Sequence, residues 1–266
     1  MSDELIWRRR TRQRDLMVWF CYLLAIALFL FCLERISFAT EWFFVQDAPR
    51  VAADLGSRMV PPKWNYLREL WIPLWDTLNI ATLGTLLAVA LATPIAFLAA
   101  RNTTPSIRFV RPVALLIIVS SRSINSLIWG LLLVTIIGPG VLAGIIAISF
   151  RSIGFVAKLL YEAIEEIDET QVEAIAATGA SATQVMTYGI WPQILPTFAG
   201  VSVFRWDINI RESTILGLVG AGGIGLQLQA SINIVAWQQV SVILIAILLT
   251  VVVSEWVSAR VRHSII

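Results

Sequence analysis

The sequence predicts an all-α polytopic membrane protein with about six transmembrane helices. Of its 266 residues, 58% are hydrophobic and only 14% are charged, where a soluble domain carries about 25% charge. Mean hydropathy is +0.78, and the apolar residues gather into runs of the length that crosses a bilayer, about 20 residues each. This composition excludes an ordinary soluble enzyme and a disordered tail. A net charge of +2 is too small for a nucleic-acid footprint, so no nucleic-acid partner is expected. Eleven Trp suit interfacial belts and contact with membrane lipid.

The first span is expected over 16–33, behind the basic stretch Arg8-Arg9-Arg10-Thr11-Arg12-Gln13-Arg14. The run exceeds a signal-peptide core and no small-x-small cleavage site follows, so an uncleaved helix is expected. Cys21 and Cys32 lie too far apart along one helix to pair; they are expected to act as small apolar packers. Residues 34–70 mix acidic and basic side chains around Pro61-Pro62, with aromatics at Phe38, Trp42, Phe43, Phe44 and Trp64. That pattern suits an external segment lying partly in the interface.

A second span is expected over 74–100, kinked at Pro94. The third covers 112–137 and is interrupted by Ser120-Ser121-Arg122-Ser123; Gly138-Pro139-Gly140 then makes a tight turn. The fourth covers 141–160, with Arg151 inside it and Lys158 snorkelling near its end. The fifth covers 196–219, a glycine-rich turn follows over 217–225, and the sixth covers 240–257. Glu255 is expected to pair with Arg260 or to reach the interface. The arginines cluster at 8–14, 101–111 and 260–262, while 220–237 holds no basic residue. The positive-inside rule therefore places both termini, 101–111 and the acidic segment 162–195 in the cytoplasm.

The cytoplasmic segment reads as helix, sharp break, helix. Thr170-Gln171-Val172-Glu173 and Ser181-Ala182-Thr183-Gln184 each match a capping box. Gly179 between them can end the first helix, expected over 171–178, in a left-handed conformation. Pro192 and Pro196 are expected to limit the second helix. The short Ala-rich helix has side chains small enough to fit a groove on a partner.

The stretch Glu173-Ala174-Ile175-Ala176-Ala177-Thr178-Gly179, with Ile190-Trp191-Pro192 further on, resembles the EAA loop of bacterial ABC importer permeases. It departs at Ile175, where that pattern has Ala, and at Trp191, where Leu is usual. A finer resemblance to phosphonate-importer permeases covers most of 65–260. It rests on Gly138-Pro139-Gly140 with Ala143-Gly144, Glu162-Ala163-Ile164-Glu165-Glu166-Ile167-Asp168, and Asn209-Ile210-Arg211-Glu212-Ser213-Thr214-Ile215-Leu216-Gly217, continuing through Val219 to Gly225.

The resemblance implies a type I permease fold, like that of the methionine importer permease, with a cytoplasmic coupling helix. Residues 1–70 would hold the first helix and the external segment, and 71–266 the permease core with coupling loop 162–195. Glu173, Ala174, Gly179 and Pro192 would couple the chain to the ATPase. The implied partners are two ABC ATPase subunits, a second permease copy in a homodimer, and a periplasmic or lipid-anchored phosphonate-binding protein. The cargo would be phosphonate, phosphite or a related phosphorus oxyanion, delivered by that binding protein. This chain would carry no cofactor; ATP and Mg would sit on the ATPase.

A charge at mid-bilayer costs about 2.5–3.5 kcal/mol on insertion scales, yet the fifth span holds Arg205, Asp207, Arg211 and Glu212. At 100° per residue, Arg205, Asn209 and Glu212 share one face, and Asp207, Arg211 and Thr214 the opposite one. Asp207 and Arg211, spaced i, i+4, can pair. Two readings stand: these charges hold the bundle together, or Arg205, Arg211 and Arg122 offer guanidinium contacts to a passing anion, moderated by Asp207 and Glu212.

Gly220-Ala221-Gly222-Gly223-Ile224-Gly225 satisfies G-x-G-x-x-G, but a membrane span precedes it and the next acid is Glu255. A dinucleotide site would need a strand before it and an acid about 20 residues on. Gly220, Gly222, Gly223 and Gly225 instead mark a flexible external turn or a gate. There is no Walker A, HExxH or GxSxG motif. With a single His, His263, and no Cys cluster, neither a metal site nor catalytic residues are expected. A secondary transporter or channel for a small anion is the competing function; it would show inverted repeats with matching broken helices, and no convincing repeat is present.

Overall fold

The computed structural model describes the backbone of residues 12–265 and the side chains of 13–264. Arg8, Arg9 and Arg10 of the basic stretch lie outside them. Among the described residues all regular structure is helical. The chain divides into two parts, Met1–Ser57 and Arg58–Ile266.

In the first part, α1 (Arg12–Ala39) runs on past the expected end of the first span. Its apolar side chains are exposed along its length, as are the unpaired Cys21 and Cys32, which pack into no core. The interfacial segment is itself mostly helical. α2 (Trp42–Met59) is amphipathic and carries Pro49 within it. The junction is closed by Trp42, whose indole N–H donates to the Ser37 carbonyl at 3.0 Å.

The second part is a helical bundle. α3 (Trp71–Ala99) stays helical through Pro94. It buries a stripe of small residues, Ala81, Gly84, Thr85, Ala88, Ala92, Ala96 and Ala99. α6 (Val141–Glu165) packs along it, with Val156, Ala157 and Leu160 in one cluster with Ala88, Ala92, Ala96 and Ala99, and Ala143 and Ala147 in another with Ile80. Lipid tails are as apolar as Leu, so backbone proximity and interhelical hydrogen bonds hold such a pair, and small residues permit both. Accordingly, the Ser149 hydroxyl donates to Gly84 O of α3 at 3.0 Å.

The third span is broken. α4 (Val110–Ser123) and α5 (Ser126–Ile137) meet at 87°. Asn125 ends the break, its side chain accepting from Leu127 N–H. The Ser121 hydroxyl leaves its own helix and accepts from Gly154 N–H of α6 at 2.9 Å. A Cβ at Gly154 would lie 2.5 Å from Ile118 O, so α4 touches α6 backbone to backbone.

α7 (Glu169–Ala177) and α8 (Ala182–Val185) form the acidic segment, and α9 (Trp191–Leu216) follows. Pro192 and Pro196 do not limit the second helix. A π-helical turn, Met186–Ile190, joins α8 to α9, with Pro192 in the first turn of α9 and Pro196 inside it. A proline lacks an N–H and crowds the carbonyl four residues back; in the first helical turn the missing N–H has no partner to lose.

The stretch 220–237 is not a turn alone, since it contains α10 (Ile224–Asn233). α11 (Trp237–Ile265) closes the chain. Four helices, beginning at Gln13, Trp71, Val141 and Trp237, are long and apolar enough to cross a membrane; the count is six if each bent pair forms one span.

Candidate functional site

Two regions carry the residues that the sequence singles out. The first is the acidic helix pair. α7 starts one residue before Thr170, because Asp168 is its cap: the carboxylate accepts from Thr170 N–H at 2.9 Å. An anion at a helix N-terminus also meets the positive end of the helix dipole, which Thr170 could not exploit. The Thr170 side chain and backbone hold the Asp168 carboxyl below its usual range.

Gly179, at φ +86°, ends the helix as its sequence implies. The second box forms at Ser181, whose N–H donates to Gln184 Oε1 at 2.8 Å. α7 buries none of its side chains, and Glu173, Ala174, Gly179 and Pro192 are all exposed.

The sequence did not reveal what fixes this element to the bundle. Gln193 of α9 accepts from Asp168 N–H at 2.9 Å and donates to Gly189 O at 2.8 Å, clamping the start of α7 to the start of α9. On the α6 side, Glu165 Oε1 receives Arg101 N–H at 2.9 Å and Arg111 Nη2 at 3.1 Å. The basic loop 101–111 thus braces the helix from which α7 hangs. Lys158 pairs with Glu162 at 3.4 Å.

The second region is the charged middle of α9. Arg205 is nearly sealed, its side chain 3% exposed. Its Nε donates to Ser152 Oγ at 2.9 Å, its Nη2 reaches Glu212 at 3.4 Å, and its guanidinium lies 5.1 Å from the Phe155 ring centre. Asn209 donates to Thr85 Oγ1 of α3 at 2.8 Å and accepts from Ser152 at 3.2 Å. Glu212 also takes Arg151 Nη1 of α6, at 2.7 Å, which gives the arginine inside the fourth span its partner.

On the opposite face Asp207 pairs with Arg211, as the i, i+4 spacing implies, and accepts from Ser254 of α11 at 2.9 Å. Arg122 is exposed in the last turn of α4 and makes no ion pair among the described residues. Glu255 is exposed without an ion pair there, and Arg260 lies over Trp256 instead.

The glycines form a crossing. Gly220, Gly222 and Gly223 take positive φ, and 221–225 is buried rather than an open loop. A Cβ at Gly225 would lie 2.0 Å from Thr214 O, and one at Gly217 would lie 2.6 Å from Gly225 Cα. The end of α9 and the start of α10 therefore touch at their backbones. The described residues hold no group of three His, Cys, Asp or Glu side chains able to bind a metal.

Residues 92–265 match the family model described as "Binding-protein-dependent transport system inner membrane component". The chain is 41% identical over 210 residues to the phosphite transport system permease protein PtxC of Stutzerimonas stutzeri, across 79% of this chain and 76% of that one. It is 36% identical over 209 residues to the phosphate-import permease protein PhnE of Mycolicibacterium smegmatis, across 79% of this chain and 39% of that one. Among solved structures, the inward-facing MetNI methionine ABC transporter shares the fold, with TM-score 0.64 and 20% identity, over 74% of this chain and 96% of that chain.

Proposed function

This chain belongs to the inner-membrane permeases of binding-protein-dependent ABC importers, and we propose that it forms the passage for a phosphorus oxyanion such as phosphite, phosphonate or phosphate. The relatives named for phosphite and phosphate share one cargo chemistry, a tetrahedral phosphorus centre bearing charged oxygens. Arginines suit that chemistry, because the planar guanidinium fork binds such oxygens in pairs.

The observation that carries the reading is α7, a helix with no buried side chain, capped by Asp168 and clamped through Gln193 to α9. In this reading two ATPase subunits bind ATP and Mg, close, and push on Glu173, Ala174, Gly179 and Pro192. The push passes through Gln193 into α9, which carries the charged residues. Two copies of the chain form the pathway, with both termini, 101–111 and α7 in the cytoplasm. Arg122 and Glu212 face the route, Arg205, Asp207, Asn209 and Arg211 hold α9 in register, and Gly220, Gly222, Gly223 and Gly225 form its outer closure. A separate binding protein delivers the cargo.

Uptake of phosphite by cells carrying the complete importer tests this. Glu173→Arg or Gly179→Val should abolish uptake and co-purification of the ATPase while the permease still reaches the membrane. Uptake by the permease alone, without ATPase, would refute the coupling.

A further inference from the structure

The middle of α9 and α6 holds two guanidiniums and one carboxylate. Arg205 and Arg151 both reach Glu212 Oε1, at 3.4 and 2.7 Å. The cluster is therefore one positive charge in excess, within helices that span the membrane. An unpaired charge there is costly and is kept only where something compensates it.

The two arginines differ in how much of the fork is engaged. Arg205 has Nε on Ser152, Nη2 on Glu212 and its face on Phe155, at 3% exposure. Arg151 uses Nη1 alone, toward Glu212 and toward Ser126 Oγ at 3.5 Å. Its Nη2 and Nε have no partner among the described residues, and its side chain is 34% exposed.

Arg151 also lies beside the break in the third span. Ser126 is the first residue of α5, which leaves α4 at 87°. A helix that begins inside a membrane presents the positive end of its dipole there, and discontinuous helices with such ends hold anionic groups in transporters. Two features thus meet at one place, a half-used guanidinium that leaves the cluster one positive charge in excess and an internal helix start.

We propose that Arg151 is the residue that contacts the transported oxyanion, with Ser126 beside it, and that Glu212 is its resting partner. When the anion arrives, the free edge of Arg151 takes two oxygens and Arg151 releases Glu212. The carboxylate is not left alone, because Arg205 still holds it. Arg205 is the positioning residue and does not touch the cargo. This inference rests on the phosphorus-oxyanion reading above.

The test is phosphite uptake by the intact importer in cells, with Arg151→Gln and Arg151→Lys. Arg151→Gln leaves the neutral pair Arg205–Glu212 in place, so a purely structural role for Arg151 predicts normal transport. We expect the maximal uptake rate to fall at least about tenfold, the loss of a charge-assisted contact. The half-saturating phosphite concentration should not change, since the binding protein sets it. Arg151→Lys keeps the charge without the fork and should fall by about threefold. A rate within twofold of wild type in Arg151→Gln, or a fall no larger than the loss of assembled complex, overturns the proposal. If the wild-type importer takes up no phosphorus oxyanion, the cargo reading itself fails and this inference with it.

Discussion

Replacing Glu212 by Gln removes the carboxylate that two arginines share. Arg151, 34% exposed, has room to turn away from the cluster, but Arg205, 3% exposed, does not. Arg205 would keep only neutral partners, Ser152 at 2.9 Å, the new amide oxygen and the Phe155 ring. Removing one side of a buried pair costs about 3–5 kcal/mol, because the other charge stays buried and uncompensated. Arg151→Gln is different in kind, since Glu212 keeps Arg205 at 3.4 Å. Its cost is a single charge-assisted hydrogen bond, about 1.5–3 kcal/mol.

At roughly 2–4 °C per kcal/mol for a domain of this size, Glu212→Gln should lower the thermal midpoint of the detergent-purified protein by about 10 °C. Arg151→Gln should lower it by about half as much on the same scale. Arg205→Met, which leaves the half-buried Arg151–Glu212 pair intact, should fall between them. The ordering is the measurement. Equal midpoints for Glu212→Gln and Arg151→Gln would refute the shared-carboxylate reasoning.

Gly225→Ala should destabilise by at least about 1–3 kcal/mol, the usual cost of overpacking, because its Cβ would meet Thr214 O at 2.0 Å. Gly200→Ala, with open space around it, should be neutral or slightly stabilising; thermal midpoints that fail to separate the two would sink the backbone-crossing argument. The Asp168 cap is acid-sensitive. Its folded carboxyl titrates below the ordinary value of 3.8, so its contribution is complete above that value and is lost as pH falls through the folded one. Hydrogen exchange at Thr170 should therefore accelerate in that acid window, and Asp168→Asn, which still accepts, should remove the pH dependence. Ala92→Leu should weaken the α3–α6 contact by about 1–3 kcal/mol through overpacking. That shift should be visible in the same thermal assay, and an unchanged midpoint would mean that Ala92 does not face α6.

The sequence carried the class, the long helices and the exposed helix of the acidic segment with its break, because each rests on local signals. Apolar run length marks spans, and Gly179 with Ser181 and Gln184 marks a break and a cap. The two polar faces of α9 were legible for the same reason, since periodicity along one helix assigns each residue an azimuth. Asp207–Arg211, four residues apart, could be paired on spacing alone.

Every partner across helices was out of reach. Arg151 with Glu212, Asn209 with Thr85, Asp207 with Ser254 and Gln193 with Asp168 all depend on the rotation and register of one helix against another. No spacing within a helix encodes either quantity. The 87° break at Asn125 and the Gly217–Gly225 crossing are likewise set by what packs around them. Single-sequence periodicity therefore identified the charges inside the membrane, and only the tertiary structure separated the arginine that is sealed from the one that still has an edge free.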